Sequence, residues 1–306
     1  MCCTRCKLLF TGLLALAVFA ITDLRADAQT KLRYQFKAGE KLPYELEQKM
    51  KMAMNVGGQN IEMNMTQNVD LIWDVKSVDK DGKASMVQRF DRIRFVMEGP
   101  MGKIEFDSKD EKESDDPAAK LITPVFKAMA GAEFTLDMDR RGVLSNVKTP
   151  EKLVEALKGA AAVPGLGNMF SEEGVKHLVT QSGLVLPEEG VTKGKSWEQK
   201  VEMKSPVGKM KTDNTLTYQG PATRGDRKLE EVSIKPVLTI EADDAAPIAL
   251  KVKDQDSKGT ALFDNAAGRL VETNMKQTMQ MEISAGGMTI DQKIEQTVSM
   301  KLKEKK

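Results

Sequence analysis

Residues 44–75 read YELEQKMKMAMNVGGQNIEMNMTQNVDLIWDV. Up to the glycine pair the even positions are Tyr44, Leu46, Gln48, Met50, Met52, Met54 and Val56, and the odd ones are Glu45, Glu47, Lys49, Lys51, Ala53 and Asn55. After it Ile61, Met63, Met65, Gln67, Val69, Leu71, Trp73 and Val75 alternate with Glu62, Asn64, Thr66, Asn68 and Asp70. A side-chain period of two, apolar against charged, is the mark of a strand with one buried face. Gly57-Gly58 supplies the positive φ of a tight turn, so the two runs are predicted to pair antiparallel about it. The register expected about that turn sets Val56 against Ile61, Met54 against Met63, Met52 against Met65, Met50 against Gln67 and Tyr44 against Trp73, all on one face.

The pattern extends outward. A turn at Asp79-Lys80-Asp81-Gly82 leads to a strand from Ala84 to Met97, and Pro100 to Gly102 turns into another around Ile104 and Phe106. After the charged loop from Ser108 to Asp116, Pro117 opens a helical pattern with Leu121, Ile122, Val125, Phe126 and Met129. A second helix is expected from Thr149-Pro150-Glu151 and a third from Ser171-Glu172-Glu173. Phe134, Leu136 and Met138, ending in Arg140-Arg141-Gly142, predict one hairpin between the first two helices. Strands return at Trp197 and persist to the C-terminus. The fold expected is mainly β (α+β), a long curved antiparallel sheet or open half-barrel with about three short helices inserted mid-chain.

Shifting the chain by 229 positions superposes Gly286-Gly287 on Gly57-Gly58, and eight of 24 positions then coincide, Gln48 with Gln277 and Met52 with Met281 among them. The chain is expected to open and close with Met-lined hairpins, through duplication or a shared structural role.

The first 28 residues read as a cleavable leader. Arg5 and Lys7 precede an apolar run from Leu8 to Ile21, and Ala26-Asp27-Ala28 offers small residues for cleavage after Ala28. At ~1.5 Å per residue that run falls short of the ~30 Å hydrocarbon core, so no stable membrane span is expected after cleavage. A periplasmic or extracellular location follows. Cys2, Cys3 and Cys6 all lie in the leader, leaving the mature chain without a thiol. The leader also holds three of the 46 basic and two of the 45 acidic residues, so the mature chain has no net charge. Without a basic surplus, nucleic acid is not an expected partner. Residues 29–306 are expected to form one β-rich domain, with a meander over 29–107, a helical insertion over 108–185 and C-terminal strands over 186–306.

No catalytic centre emerges. Gly190 to Ser196 is one residue short of a phosphate loop and feeds a strand. Arg224-Gly225-Asp226 and Asp79-Lys80-Asp81-Gly82 read as turns rather than an adhesion tripeptide and a calcium loop. His177 is the chain's one histidine and has no cysteine to share a metal with, and neither a metal nor a cofactor is expected. The eighteen methionines left after Met1 are the compositional excess, and they suit either a core or an adaptable apolar site. Glutamines on the same face keep the site reading open beside core packing, because an unpaired amide in a dry core costs about 1–3 kcal/mol. The candidate cavity face comprises Met50, Met52, Met54, Met63, Met65, Gln67, Trp73, Met279, Met281 and Gln296.

Tyr34-Gln35-Phe36-Lys37-Ala38-Gly39-Glu40, Val191-Thr192-Lys193-Gly194-Lys195-Ser196-Trp197 and Phe263-Asp264 with Gly268-Arg269-Leu270 resemble segments of a family of exported bacterial proteins of unknown function, frequent in planctomycetes. The resemblance runs from about Leu32 to Leu302 and implies fold and location, but no catalytic residue. The architecture is similar to half-barrels that carry lipids and lipoproteins across the periplasm. The expected function is a non-enzymatic exported protein holding a lipid-like ligand between the hairpins and the helices. The alternatives are a structural or protein-interaction module of the cell envelope and a hydrolase with an unrecognised carboxylate pair.

Overall fold

The computed structural model describes residues 29–303 apart from 101, 111–116, 162–175, 177–178, 180–182, 206–207, 243–247 and 286. The leader and His177 lie outside them. The elements are β1 (Lys41–Val56), β2 (Gln59–Val78), β3 (Ala84–Gly99), β4 (Gly102–Asp107), α1 (Pro117–Met129), β5 (Glu133–Met138), β6 (Leu144–Lys148), α2 (Glu151–Ala161), β7 (Ser196–Ser205), β8 (Gly208–Arg224), β9 (Arg227–Ala242), β10 (Ile248–Asp264), β11 (Arg269–Ala285) and β12 (Met288–Leu302). Two helices stand among the described residues where about three are expected. The third candidate falls outside them except for Lys176 and Val179, both helical.

All strands join one 12-stranded sheet in the order β6-β5-β3-β2-β1-β12-β11-β10-β9-β8-β7, with β4 beside β5 along the outer edge of β3. The chain starts at the sheet's centre, steps out to one edge, crosses to the other and steps back. The first and last strands therefore pair, Tyr44 opposite Leu302 and Asn55 opposite Asp291. The two Met-lined hairpins lie side by side as β2-β1-β12-β11. Both carry the same register about their turns, Gln48 facing Gln67 in one and Gln277 facing Gln296 in the other.

That register corrects the expected one. Val56 pairs with Gln59, Met54 with Ile61, Met52 with Met63, Met50 with Met65, Tyr44 with Leu71 and Leu42 with Trp73. The apolar face is unchanged because the slip is two residues. The cause is the turn: Gly57 and Gly58 have φ of 57° and 84°, so two residues close the hairpin. Asn55 and Asn60 brace it, Asn55 accepting from the Gly58 amide and donating to Asn60. The turns at Asp79 and Asp139 are built alike. Each aspartate Oδ1 accepts two backbone amides, those of Asp81 and Lys83 in one and of Arg141 and Val143 in the other. Arg224-Gly225-Asp226 is the β8–β9 turn, and Thr192 to Lys195 turns into β7.

The two ends of the sheet differ. At the end away from the glycine turns, Leu42, Tyr44, Trp73, Val75, Phe263, Leu270 and Met300 are buried in one core with Leu32, Tyr34, Leu184 and Leu186 from the connecting segments. Tyr34 stitches this end. Its amide donates to Arg140 O, its hydroxyl donates to Leu184 O at 3.2 Å, and its ring meets Phe263 edge-on at 5.1 Å. The Leu186 amide donates to Arg141 O, and Trp197 Nε1 donates to Val185 O, so one connecting segment ties the β5–β6 turn to β7. Towards the turns, inward residues of β1 and β2 such as Met52 and Met63 are only half-buried. Helix α1 covers one flank, its Phe126 set between Phe95 and Phe106.

A Cβ added at Gly58 would meet nothing within 4 Å. Gly58→Ala is therefore expected to cost about 1 kcal/mol through backbone conformation alone. Urea denaturation tests this, and an unchanged midpoint would contradict the two-residue turn.

Candidate functional site

A cleft of about 520 Å³ opens on the inner face of the sheet, against β7–β9 on one side and β11–β12 on the other. Strand alternation decides which side chains enter it. In Trp197-Glu198-Gln199-Lys200-Val201-Glu202-Met203, residues Gln199, Val201 and Met203 turn inward while Glu198, Lys200 and Glu202 turn out. Opposite them on β8 stand Asn214, Thr212 and Met210. The far wall carries Met275, Gln277 and Met279 of β11 with Gln296, Val298 and Met300 of β12. Leu184 and Met300 close the end nearest the core.

Charge is segregated by face. No Lys, Arg, Asp or Glu lines the cleft among the described residues. The outer face carries ion pairs instead. Lys253 bonds Glu282 at 2.7 Å and Asp291 at 2.8 Å, which holds its ammonium well above the usual lysine range. Glu202 is held below the usual carboxylate range by Lys209 at 2.5 Å. Such exposed pairs contribute little stability, but they keep the convex side wetted. Among the described residues no group of His, Cys, Asp or Glu is placed to hold a metal.

Strand β10 lies between β9 and β11 in the sheet, and none of its residues lines the cleft. A Cβ on Gly259 would lie 2.0 Å from Met275 Sδ and 2.6 Å from Asn274 O, so the glycine lets the Met275 side chain lie across the strand. The described β9–β10 ladder runs only from Gly259 opposite Ile234 to Phe263 opposite Glu230. Further out, Gln255 spans the split as a substitute peptide. Its Oε1 accepts the Leu238 amide and its Nε2 donates to Leu238 O, both at 2.8 Å. An open fissure of about 730 Å³ follows between the two strands, and Leu238 borders both it and the cleft.

Of the residues singled out from sequence, Met279 and Gln296 line the cleft. Met50, Met52, Met54, Met63, Met65, Gln67 and Met281 share the same inner face, half-buried, on and beside the central strands. Trp73 is 1% exposed and packs on Tyr44 at 4.8 Å, so it belongs to the core. The cleft lies against the C-terminal strands rather than under α1 and α2, because α1 is spent covering β3 and β4. Gln199, Met203, Met210 and Asn214 were not anticipated. The alternation from Trp197 to Met203 marks their face, but nothing local shows that β7 and β8 share a cleft with β11 and β12.

Residues 81–224, a little under half of the chain, match a family of unknown function (DUF6263). No curated protein matches the sequence. Among solved structures, one described as lipid–protein interactions in lipovitellin aligns over 88% of this chain at 11% identity and a TM-score of 0.47, and this chain spans 26% of that one. A putative outer membrane lipoprotein-sorting protein domain from Vibrio parahaemolyticus aligns over 83% of each chain at 9% identity and a TM-score of 0.17. A DUF1329 family protein from Desulfovibrio piger aligns over 82% of this chain and 83% of its own at 10% identity and a TM-score of 0.13. Likeness at this level assigns no activity.

The exposure gradient along the inner face is testable by placing a charge at each end. Met52→Asp, on the half-buried stretch, is expected to cost about 1 kcal/mol. Met300→Asp, 4% exposed, is expected to cost more than about 3 kcal/mol, since a buried carboxylate finds no partner there. Equal losses in urea denaturation would mean that the methionines near the turns interlock.

Proposed function

We propose that this protein is an exported, non-enzymatic carrier that holds a lipid-like apolar ligand in the cleft between β7–β9 and β11–β12. The observation that carries the reading is the lining: a cleft of about 520 Å³ with five methionines, several aliphatic side chains and no charge, on a chain of which 30% of residues are charged. The volume falls within the roughly 300–1,000 Å³ of small-molecule sites. Methionine suits an occupant of variable shape, since its unbranched thioether adapts to irregular apolar partners. The half-buried inner face of β1 and β2 continues this apolar surface towards the glycine turns.

Export to the periplasm or the exterior is part of the proposal and rests on the leader pattern of residues 1–28. No helix among the described residues is long and apolar enough to cross a membrane. A carrier role needs none.

Chloroform–methanol extraction of the purified mature protein, read by mass spectrometry, is expected to yield bound lipid, and the extracted protein to take up N-phenylnaphthylamine with a rise in fluorescence. Thr212→Trp, which fills the cleft from a half-buried position, is expected to reduce that uptake about tenfold while the circular dichroism spectrum persists. A clean extract together with no dye uptake would favour a structural module of the envelope instead.

A further inference from the structure

Four amides flank the cleft in two facing pairs. Gln277 on β11 stands directly opposite Gln296 on β12, and Gln199 on β7 directly opposite Asn214 on β8. All four line the cleft, and none has a hydrogen-bond partner among the described residues. Beside Gln277, in the same row of the sheet, Ser257 of β10 is 6% exposed and its hydroxyl also lacks a partner there. The four amides are only half-buried, so water can satisfy them in the open cleft; an occupant that displaces that water leaves them unpaired unless it brings a polar part of its own.

The chemistry of that part follows from what the row offers. Each carboxamide presents two N–H donors and one carbonyl acceptor, so the facing pairs serve a group that both gives and receives hydrogen bonds. They offer no countercharge. A carboxylate, phosphate or ammonium entering here would shed water and gain only neutral dipoles, which is unfavourable. An ester, amide or hydroxyl sheds far less and meets matched partners.

We infer that, if the carrier reading holds, the cleft selects a neutral amphiphile: a hydrocarbon chain lying over Met275, Met279 and Val298, with an uncharged ester, amide or hydroxyl head between the Gln277–Gln296 and Gln199–Asn214 pairs. Discrimination is against the head-group charge, not the chain. A fatty acid and the monoglyceride of the same acyl chain present identical methylenes to the methionines and differ only where the amides stand.

Displacement of N-phenylnaphthylamine from the lipid-stripped mature protein by monolaurin and by laurate tests this. At about pH 8.5, where laurate is ionised, monolaurin is expected to displace the dye at a concentration at least about tenfold lower. Gln277→Leu is expected to lower the preference for monolaurin over laurate about tenfold, each displacement referred to the variant's own dye affinity, and Gln199→Leu repeats the test on the other wall should the first variant fold poorly. Equal displacement by laurate and monolaurin, or an unchanged preference in a folded variant, overturns the selectivity and leaves the carrier reading standing. Failure of the wild-type protein to take up the dye at all overturns both.

Discussion

The packing of Tyr34 at one end of the sheet is the constraint on which the rest depends. A twelve-stranded antiparallel sheet left to itself is an open ribbon, and its twist alone does not decide whether it curls around a space. Tyr34 links the segment before β1 to the β5–β6 turn and to the Leu184 segment, and its ring lies against Phe263 from β10. Strands from both flanks are thereby drawn to one point. Tyr44 repeats the device one layer on, its buried hydroxyl donating to Leu270 O at 2.9 Å. Both phenols are buried and their pKa values are raised by loss of water, so they remain neutral donors across the ordinary pH range.

Closure at one end implies opening at the other. The same strands that bury Leu42, Tyr44 and Trp73 near the core carry Met50, Met52 and Met54 out to half-exposed positions near the glycine turns. A continuous apolar face thus runs from dry to wet along each hairpin. Its polar interruptions fall in the wet part and in the cleft, where Gln48, Gln67, Gln277 and Gln296 avoid the cost of a dry core. The split between β9 and β10 belongs to the same logic. Gln255 restores one pair of peptide hydrogen bonds where the ladder has parted, so the sheet widens without leaving the Leu238 backbone groups unpaired.

Much of this was legible locally. Alternation identified the inward face of β1 and β2 residue by residue, and the turns at Asp79, Arg140 and Gly225 followed from aspartate, glycine and their neighbours. The hairpin register missed by two because a Gly-Gly pair fits both a two-residue and a four-residue loop on one face, and only the observed φ values choose. Trp73 was misplaced for a related reason. Period two says which side a residue faces, not how far along the strand the core ends.

What the sequence determined by itself was a sheet of long amphipathic strands with chemically opposite faces, since the two-residue period and the glycine turns are local properties of the chain. Tertiary structure decided that the first and last strands pair, that α1 covers β3 and β4, and that β7–β8 come to share a cleft with β11–β12. Those outcomes depend on contacts between residues more than a hundred positions apart, such as Tyr34 with Leu184 and Tyr44 with Leu270. Such contacts are selected by the shape and packing of the assembled core, which no single segment encodes.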